Sequence, residues 1–190
     1  MIDTETTRRI VEFHGHMCPG LAMGVRAAEV ALAEIGPHSA DEEVVAIVET
    51  DMCGVDAIQF LTGCTFGKGN LIHLDYGKNA YTFVRRSDGR AIRISGRPRG
   101  WERPRPAESA GEGSERSMAS MRERSEAILG APLDELYEVR QVDAVVPPTA
   151  RVFVSLDCGA CGEATMETRI RLLDGRQLCP PCFDRAVAGD

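Results

Sequence analysis

Two groups of cysteines in this chain have types and spacings that could do chemistry. Residues 158–182 read CGACGEATMETRIRLLDGRQLCPPC, which is Cys-x2-Cys, seventeen residues, then Cys-x2-Cys. Zn2+ prefers four soft donors arranged tetrahedrally, and a two-residue spacer lets paired thiolates curl around one ion. Cys158, Cys161, Cys179 and Cys182 are therefore expected to hold a structural Zn2+. Four protein ligands leave no open position, so such an ion organises the chain and does not react. A hairpin turning at Asp174-Gly175 would return the second pair beside the first, and CFDRAVAG would continue as a helix. The ion accounts for how residues 151–190 fold with so few large apolar side chains.

Cys18, Cys53 and Cys64 remain, all in the first third of the chain. In FHGHMCPGLAMG, residues 13–24, Cys18 precedes Pro19, a residue favoured at the first helical position, so Cys18 stands where an N-cap would be. Its sulfur then lies at the positive end of the helix dipole, which favours thiolate over thiol. His14 and His16 lie on the approach to the same helix end. Cys53 holds a similar place, between the strand VVAIVET and the helix GVDAIQFL. Thiolate plus imidazole suits Zn2+ or another borderline-soft transition metal, and fewer than four protein ligands leave a coordination position open. The working set is accordingly His14, His16, Cys18, Cys53, Asp56, Cys64 and Lys78, with His16, Cys18 and Cys53 as ligands of a second transition metal in the core. Cys18 and Cys53 would serve as ligands or nucleophiles, His16 as ligand or base, and Lys78 as the neutraliser of an anionic group. Lys68 and Lys78 are the only lysines beside twenty arginines, and both fall in this region. GCTFGKG resembles a phosphate loop but has three residues between Gly63 and Gly67 and Gly69 where Ser or Thr would bind Mg2+, which excludes nucleotide hydrolysis of the Walker kind.

The elements that must position these residues are legible as patterns. Residues 4–14 form a short amphipathic helix, and a longer one starts at Pro19, burying Leu21, Val25, Ala28, Leu32 and Ile35 before Gly36-Pro37 stops it. EVVAIVET and NLIHL read as strands, residues 54–63 as a helix, and residues 80–95 as a hairpin around Ser87-Asp88-Gly89. SERSMASMRERSEAILG is helical, and LDELYEV is a shorter turn after it. The order predicts an α+β fold: a mixed helix and antiparallel-sheet core over residues 1–150, with a flexible connection at 97–117, followed by a small four-cysteine zinc finger over 151–190.

Composition narrows the function classes. The chain has 190 residues, 43% hydrophobic and 27% charged, with a formal net charge of −7. That acidic balance disfavours direct nucleic-acid binding, since phosphates attract cationic surfaces. Residues 85–105 hold eight arginines against Asp88 and Glu102, and we read this stretch as a solvated hairpin and linker. No window approaches the roughly 18 apolar residues of a membrane helix. The N-terminus lacks the features of a signal peptide, so reduced thiols and a cytoplasmic location are expected.

HGHMCPGLAMGVRA, ETDMCGVDAIQFLTGCTFGKGNL, DYGKNAYTF and APLDELYEVRQV together resemble the successive signatures of the FmdE family, named for formylmethanofuran dehydrogenase. The resemblance implies an α+β core with a treble-clef-like finger, a homodimer, and a cleft at His16, Cys18 and Cys53 able to hold a metal. It also implies association with a larger redox enzyme complex of one-carbon metabolism containing molybdenum or tungsten. The chain would then be an accessory subunit or a small metal- or thiol-dependent enzyme. The cysteine spacing of the finger is also similar to that of DksA/TraR-type regulators. That similarity implies the alternative of a regulator contacting a protein partner such as RNA polymerase.

Overall fold

Asp3 opens the first helix, α1 (Thr4–His14), by accepting the Thr6 N–H at 2.8 Å, and Gly15 closes it in the left-handed region at φ 99°. Helix α2 (Pro19–Glu34) follows with Cys18 as its N-cap. The spacing of its apolar residues predicts one buried stripe, yet the helix is buried at every position from Leu21 to Ala28. It lies against α3 (Gly54–Thr62), α4 (Glu115–Gly130) and the sheet at once, and its small side chains permit that crowding. Arg26 is carried into the same environment, where Glu29 pairs with it and the Ala131 carbonyl accepts a hydrogen bond at 2.8 Å.

The computed structural model describes residues 2–97 and 115–189. Most of the connection expected at 97–117, together with the rest of the arginine-rich stretch, lies outside those residues. Among the described residues no helix is long and apolar enough to cross a membrane. The chain divides into two units, Met1–Thr149 and Ala150–Asp190.

The first unit is built on a five-stranded sheet of order β2-β1-β3-β4-β5. Its strands are β1 (Val44–Val48), β2 (Leu71–His73), β3 (Ala80–Arg85), β4 (Ala91–Gly96) and β5 (Tyr137–Gln141). The β1–β2 pair is parallel, because α3 crosses between them, and the other pairs are antiparallel. Val44, Ala46, Val48, Phe83, Ile92 and Ile94 face the helices and join the main core. Val45, Val84 and Ala91 face the other way and are covered by Val142 and Ala144.

LDELYEV departs from its expected form. Residues Leu133–Leu136 make a single helical turn, α5, and Tyr137 begins β5, paired with β4. An edge strand that is charged at alternate positions carries little apolar signal. It is the buried Tyr137, whose hydroxyl donates to the Met23 carbonyl at 2.8 Å, that fixes the strand. The hairpin arginines are spent inside the protein: Arg85 on Asp88, Arg86 on backbone carbonyls, Arg90 on Glu34 and Arg93 on Glu49.

The second unit holds two short hairpins and a helix: β6 (Ser155–Asp157) with β7 (Ala164–Met166), β8 (Arg171–Leu173) with β9 (Arg176–Leu178), and α6 (Pro180–Ala188). Asp174 and Gly175 both take positive φ, 49° and 75°, at the tight turn between β8 and β9. This is a treble-clef arrangement.

Glycines set the α2–α3 crossing. A Cβ placed on Gly24 would stand 2.2 Å from the Gly54 carbonyl oxygen, and one on Gly54 would stand 2.7 Å from the Tyr81 hydroxyl. Gly24→Ala would stabilise an isolated helix by about 1 kcal/mol. Here we expect the opposite sign, a loss of about 1–3 kcal/mol from overpacking against backbone, read as a lower urea midpoint.

Candidate functional site

The crossing of α2 and α3 brings two helix entrances together. Cys18 is in extended conformation, φ −139° and ψ 162°, so its Sγ turns back and accepts the Leu21 N–H at 3.4 Å. Cys53 caps α3 in helical conformation, with no side-chain cap bond. Gly20 lies between them: a Cβ there would meet Cys53 Cβ at 3.3 Å and Cys18 Sγ at 4.0 Å. Glycine at this position keeps the floor between the two sulfurs clear.

His14 completes the cluster from the last turn of α1. Its Nε2 stands 3.9 Å from Cys18 Sγ, and the ligand atoms of His14, Cys18 and Cys53 all lie within 4.8 Å of one another. Its other nitrogen, Nδ1, is 2.6 Å from Asp56 Oδ2 in the first turn of α3. A carboxylate only accepts, so Nδ1 carries the proton and Nε2 presents its lone pair toward the thiols. A carboxylate behind a ligating imidazole is the usual support of a metal-binding histidine. Two thiols and one supported imidazole fit a borderline-soft transition ion and leave it a position that the protein does not fill. Asp56→Asn is expected to weaken metal affinity at this cluster about 10–100-fold while the helix forms normally, measured by competition with a colorimetric chelator.

The other residues singled out from the sequence are placed differently. The sequence points to His16 as the ligand; it lies beyond Gly15, exposed, with its ring stacked 4.9 Å from that of His14, and is not part of the cluster. The helix fixes His14 and the left-handed turn carries His16 past the site. Cys64 follows the opposite end of α3, fully buried, and donates to the Val44 carbonyl at 3.4 Å. Burial pushes its thiol up, as expected of a core residue. Lys78 is exposed on the connection from β2 to β3, its ammonium 5.7 Å from the Tyr76 ring. Lys68 is a structural tie: its ammonium donates to the Ser39 and Asp41 carbonyls at 3.0 and 3.2 Å.

The Cys53 thiol also corrects an expectation. Its place at a helix start suggests a thiolate, but burial pushes its pKa up, and the neighbouring Cys18 adds to the rise. With its backbone already helical, the Cys53 side chain takes no bond from the first-turn amides. Gly20 and Gly54 are not among the residues that sequence reasoning singles out. Glycines at 20 and 24, spaced four apart in an alanine-rich helix, are the available signal.

In the second unit the sulfurs of Cys158, Cys161, Cys179 and Cys182 lie within 4.8 Å of one another. Cys161 and Cys179 stand 3.8 Å apart, which is the edge of a tetrahedron with Zn–S bonds of about 2.3 Å. Backbone N–H groups of Cys161, Cys179 and Ala160 lower the Cys158 thiol to about 6. The Glu163 N–H pulls Cys161 the same way, but desolvation and the three neighbouring thiols push it up to about 12. Four thiols this close cannot all ionise without a cation, and a divalent ion supplies what the arrangement lacks. Arg185 donates to Cys182 Sγ at 3.1 Å, spreading part of the thiolate charge.

Comparison with known proteins agrees with both clusters. Residues 13–138 match the family described as "FmdE, Molybdenum formylmethanofuran dehydrogenase operon", and residues 153–188 match the prokaryotic DksA/TraR C4-type zinc finger. A protein of Archaeoglobus fulgidus, named a probable S-adenosyl-L-methionine-binding protein, is 35% identical over 94% of this chain. The chain spans about half of that relative's length, 52%. The crystal structure of an FmdE-like protein of tungsten formylmethanofuran dehydrogenase from Syntrophus aciditrophicus superposes with a TM-score of 0.63 at 25% identity, over 94% of this chain and 90% of that one.

Proposed function

The chain belongs to the FmdE family and carries a DksA/TraR-type C4 zinc finger; from that premise we propose that its core is a metal- or thiol-dependent working unit serving one-carbon or molybdenum/tungsten enzyme metabolism. It would act as a homodimeric accessory subunit or small enzyme, with the finger as a closed structural zinc site. One observation carries this reading: His14, Cys18 and Cys53 converge, with Asp56 bonded behind His14. Such a set holds an ion without enclosing it, unlike the four cysteines of the finger.

The protein's part is binding and orientation. Cys18 and Cys53 would hold the ion as thiolates, and the raised Cys53 thiol gives up its proton on loading. His14 would donate through Nε2, held in register by Asp56. An ion in this cluster supplies Lewis acidity at its unfilled position. His16, exposed beside His14, is placed to move a proton at the rim, and Lys78 is available to an anionic group.

The test is metal content per chain on anaerobically purified protein. More than one ion per chain supports the reading, and a single zinc overturns the core site. The name of the Archaeoglobus relative makes S-adenosylmethionine the first small molecule to try against the loaded protein. A second reading, regulation through the finger by contact with a protein such as RNA polymerase, is favoured by the finger match alone. Under that reading, function survives the loss of Cys18 and Cys53.

A further inference from the structure

β5 lies at the edge of the sheet, paired with β4 on one side only. The Val142 N–H reaches the Ala91 carbonyl at 3.1 Å, and the Arg97 N–H reaches the Leu136 carbonyl at 2.9 Å. Backbone groups alternate sides along an antiparallel strand, so Glu138 and Arg140 bond to β4 while Tyr137, Val139 and Gln141 point theirs outward. The Tyr137 N–H is spent on the Leu133 carbonyl, and its own carbonyl takes one bond from Arg97 at 3.3 Å. The Val139 and Gln141 groups remain, on a strand without proline or bulge whose Val139 is 42% exposed. An edge left in this state is a template for another strand.

We propose that this edge pairs antiparallel with β5 of a second copy of the chain, centred so that Val139 meets Val139 across a two-fold axis. Charge selects that register. Centred on Val139, each Glu138 stands opposite Arg140 of the other copy, at non-hydrogen-bonded positions where side chains approach most closely. A shift of the centre by one residue sets Glu138 against Glu138, or Arg140 against Arg140. Both neighbouring registers therefore place like charges at the closest approach, and only the central one places opposite charges there. The backbone bonds do not decide, since each Val139-centred or Arg140-centred pairing offers about four. Within one chain, Glu138 and Arg140 already lie side by side at 3.5 Å, so the pairing extends them into an alternating four-charge row.

The inference takes the homodimer from the reading above and is independent of the metal cluster. It is tested by sedimentation equilibrium of the full, metal-loaded chain and three variants. Arg140→Glu and Glu138→Arg each turn both cross-seam pairs repulsive and are expected to weaken dimerisation roughly ten- to thirtyfold. The double exchange, Glu138→Arg with Arg140→Glu, is expected to restore it. Arg140→Glu also sets a carboxylate opposite Arg93 within the chain's own sheet, so lost dimerisation is not lost folding, and circular dichroism checks this. A dimer indifferent to both single reversals overturns the seam and leaves the homodimer standing. A parent that is monomeric at roughly 100 μM overturns both.

Discussion

Removing zinc from Ala150–Asp190 is expected to abolish the fold of that unit. Its buried set is Cys158, Leu178, Cys179 and Cys182, with Leu173 and Phe183 packed against it, so three of its four fully buried side chains are themselves ligands. Ordering a residue costs about 1–2 kcal/mol of backbone entropy, and one leucine with two half-buried neighbours returns only a few kcal/mol. Metal binding of about 10–16 kcal/mol, typical of small zinc modules, makes up the difference. Adding a strong chelator should collapse the amide dispersion of β8, β9 and α6 in a nitrogen–proton correlation spectrum. The amides of β1 and β3, which rest on the apolar core of the first unit, should keep theirs. A dispersed β8–β9 hairpin without metal would falsify the prediction. The pH dependence has a definite sign. The Cys158 thiol, lowered to about 6, is a thiolate at neutral pH, whereas Cys161 is pushed up to about 12 and Cys179 is also raised. Loading at pH 7 therefore releases protons, and retention of the ion fails as pH falls through about 6, where Cys158 reprotonates.

Cys18→Ser is expected to strip the core cluster of its ion while leaving the finger's zinc in place, two ions per chain falling to one. Serine is the informative replacement. Alanine would also delete the cap bond to the Leu21 N–H, at a cost of about 0.5–2 kcal/mol, and would confound metal loss with helix fraying. A serine hydroxyl keeps the cap but is a poor ligand beside thiolate for a borderline-soft ion. Elemental analysis with a parallel melting curve separates the two effects. Unchanged metal content in Cys18→Ser would remove Cys18 from the site, and a collapsed melting temperature would make its role structural.

Much of the scaffold is legible in the sequence because it is local. Pro19 after Cys18 and Gly63 after Thr62 mark helix ends through backbone preferences that act within a few residues. The hairpin at Asp88-Gly89 and the finger's turn at Asp174-Gly175 announce themselves in the same way. β5 reads as a turn in sequence because its stabilising contacts, Tyr137 to Met23 and the ladder to β4, come from residues distant in the chain. The parallel β1–β2 pair leaves no local signal for the same reason.

The chemistry divides along the same line. The sequence by itself determined the zinc finger, since Cys-x2-Cys at both ends of a hairpin can reach one ion wherever the rest of the chain goes. It also supplied the donors of the core cluster. Which histidine joins Cys18 and Cys53 was decided only in three dimensions. The close crossing at Gly24 and Gly54 brings two helix entrances together, and Asp56, 42 residues from His14, turns that ring toward the sulfurs. Cys64 and Lys68, of residue types equally suited to chemistry, were drawn into the scaffold instead, because burial and carbonyl partners met them first. Residue type sets what a side chain can do, and long-range packing sets what it can reach.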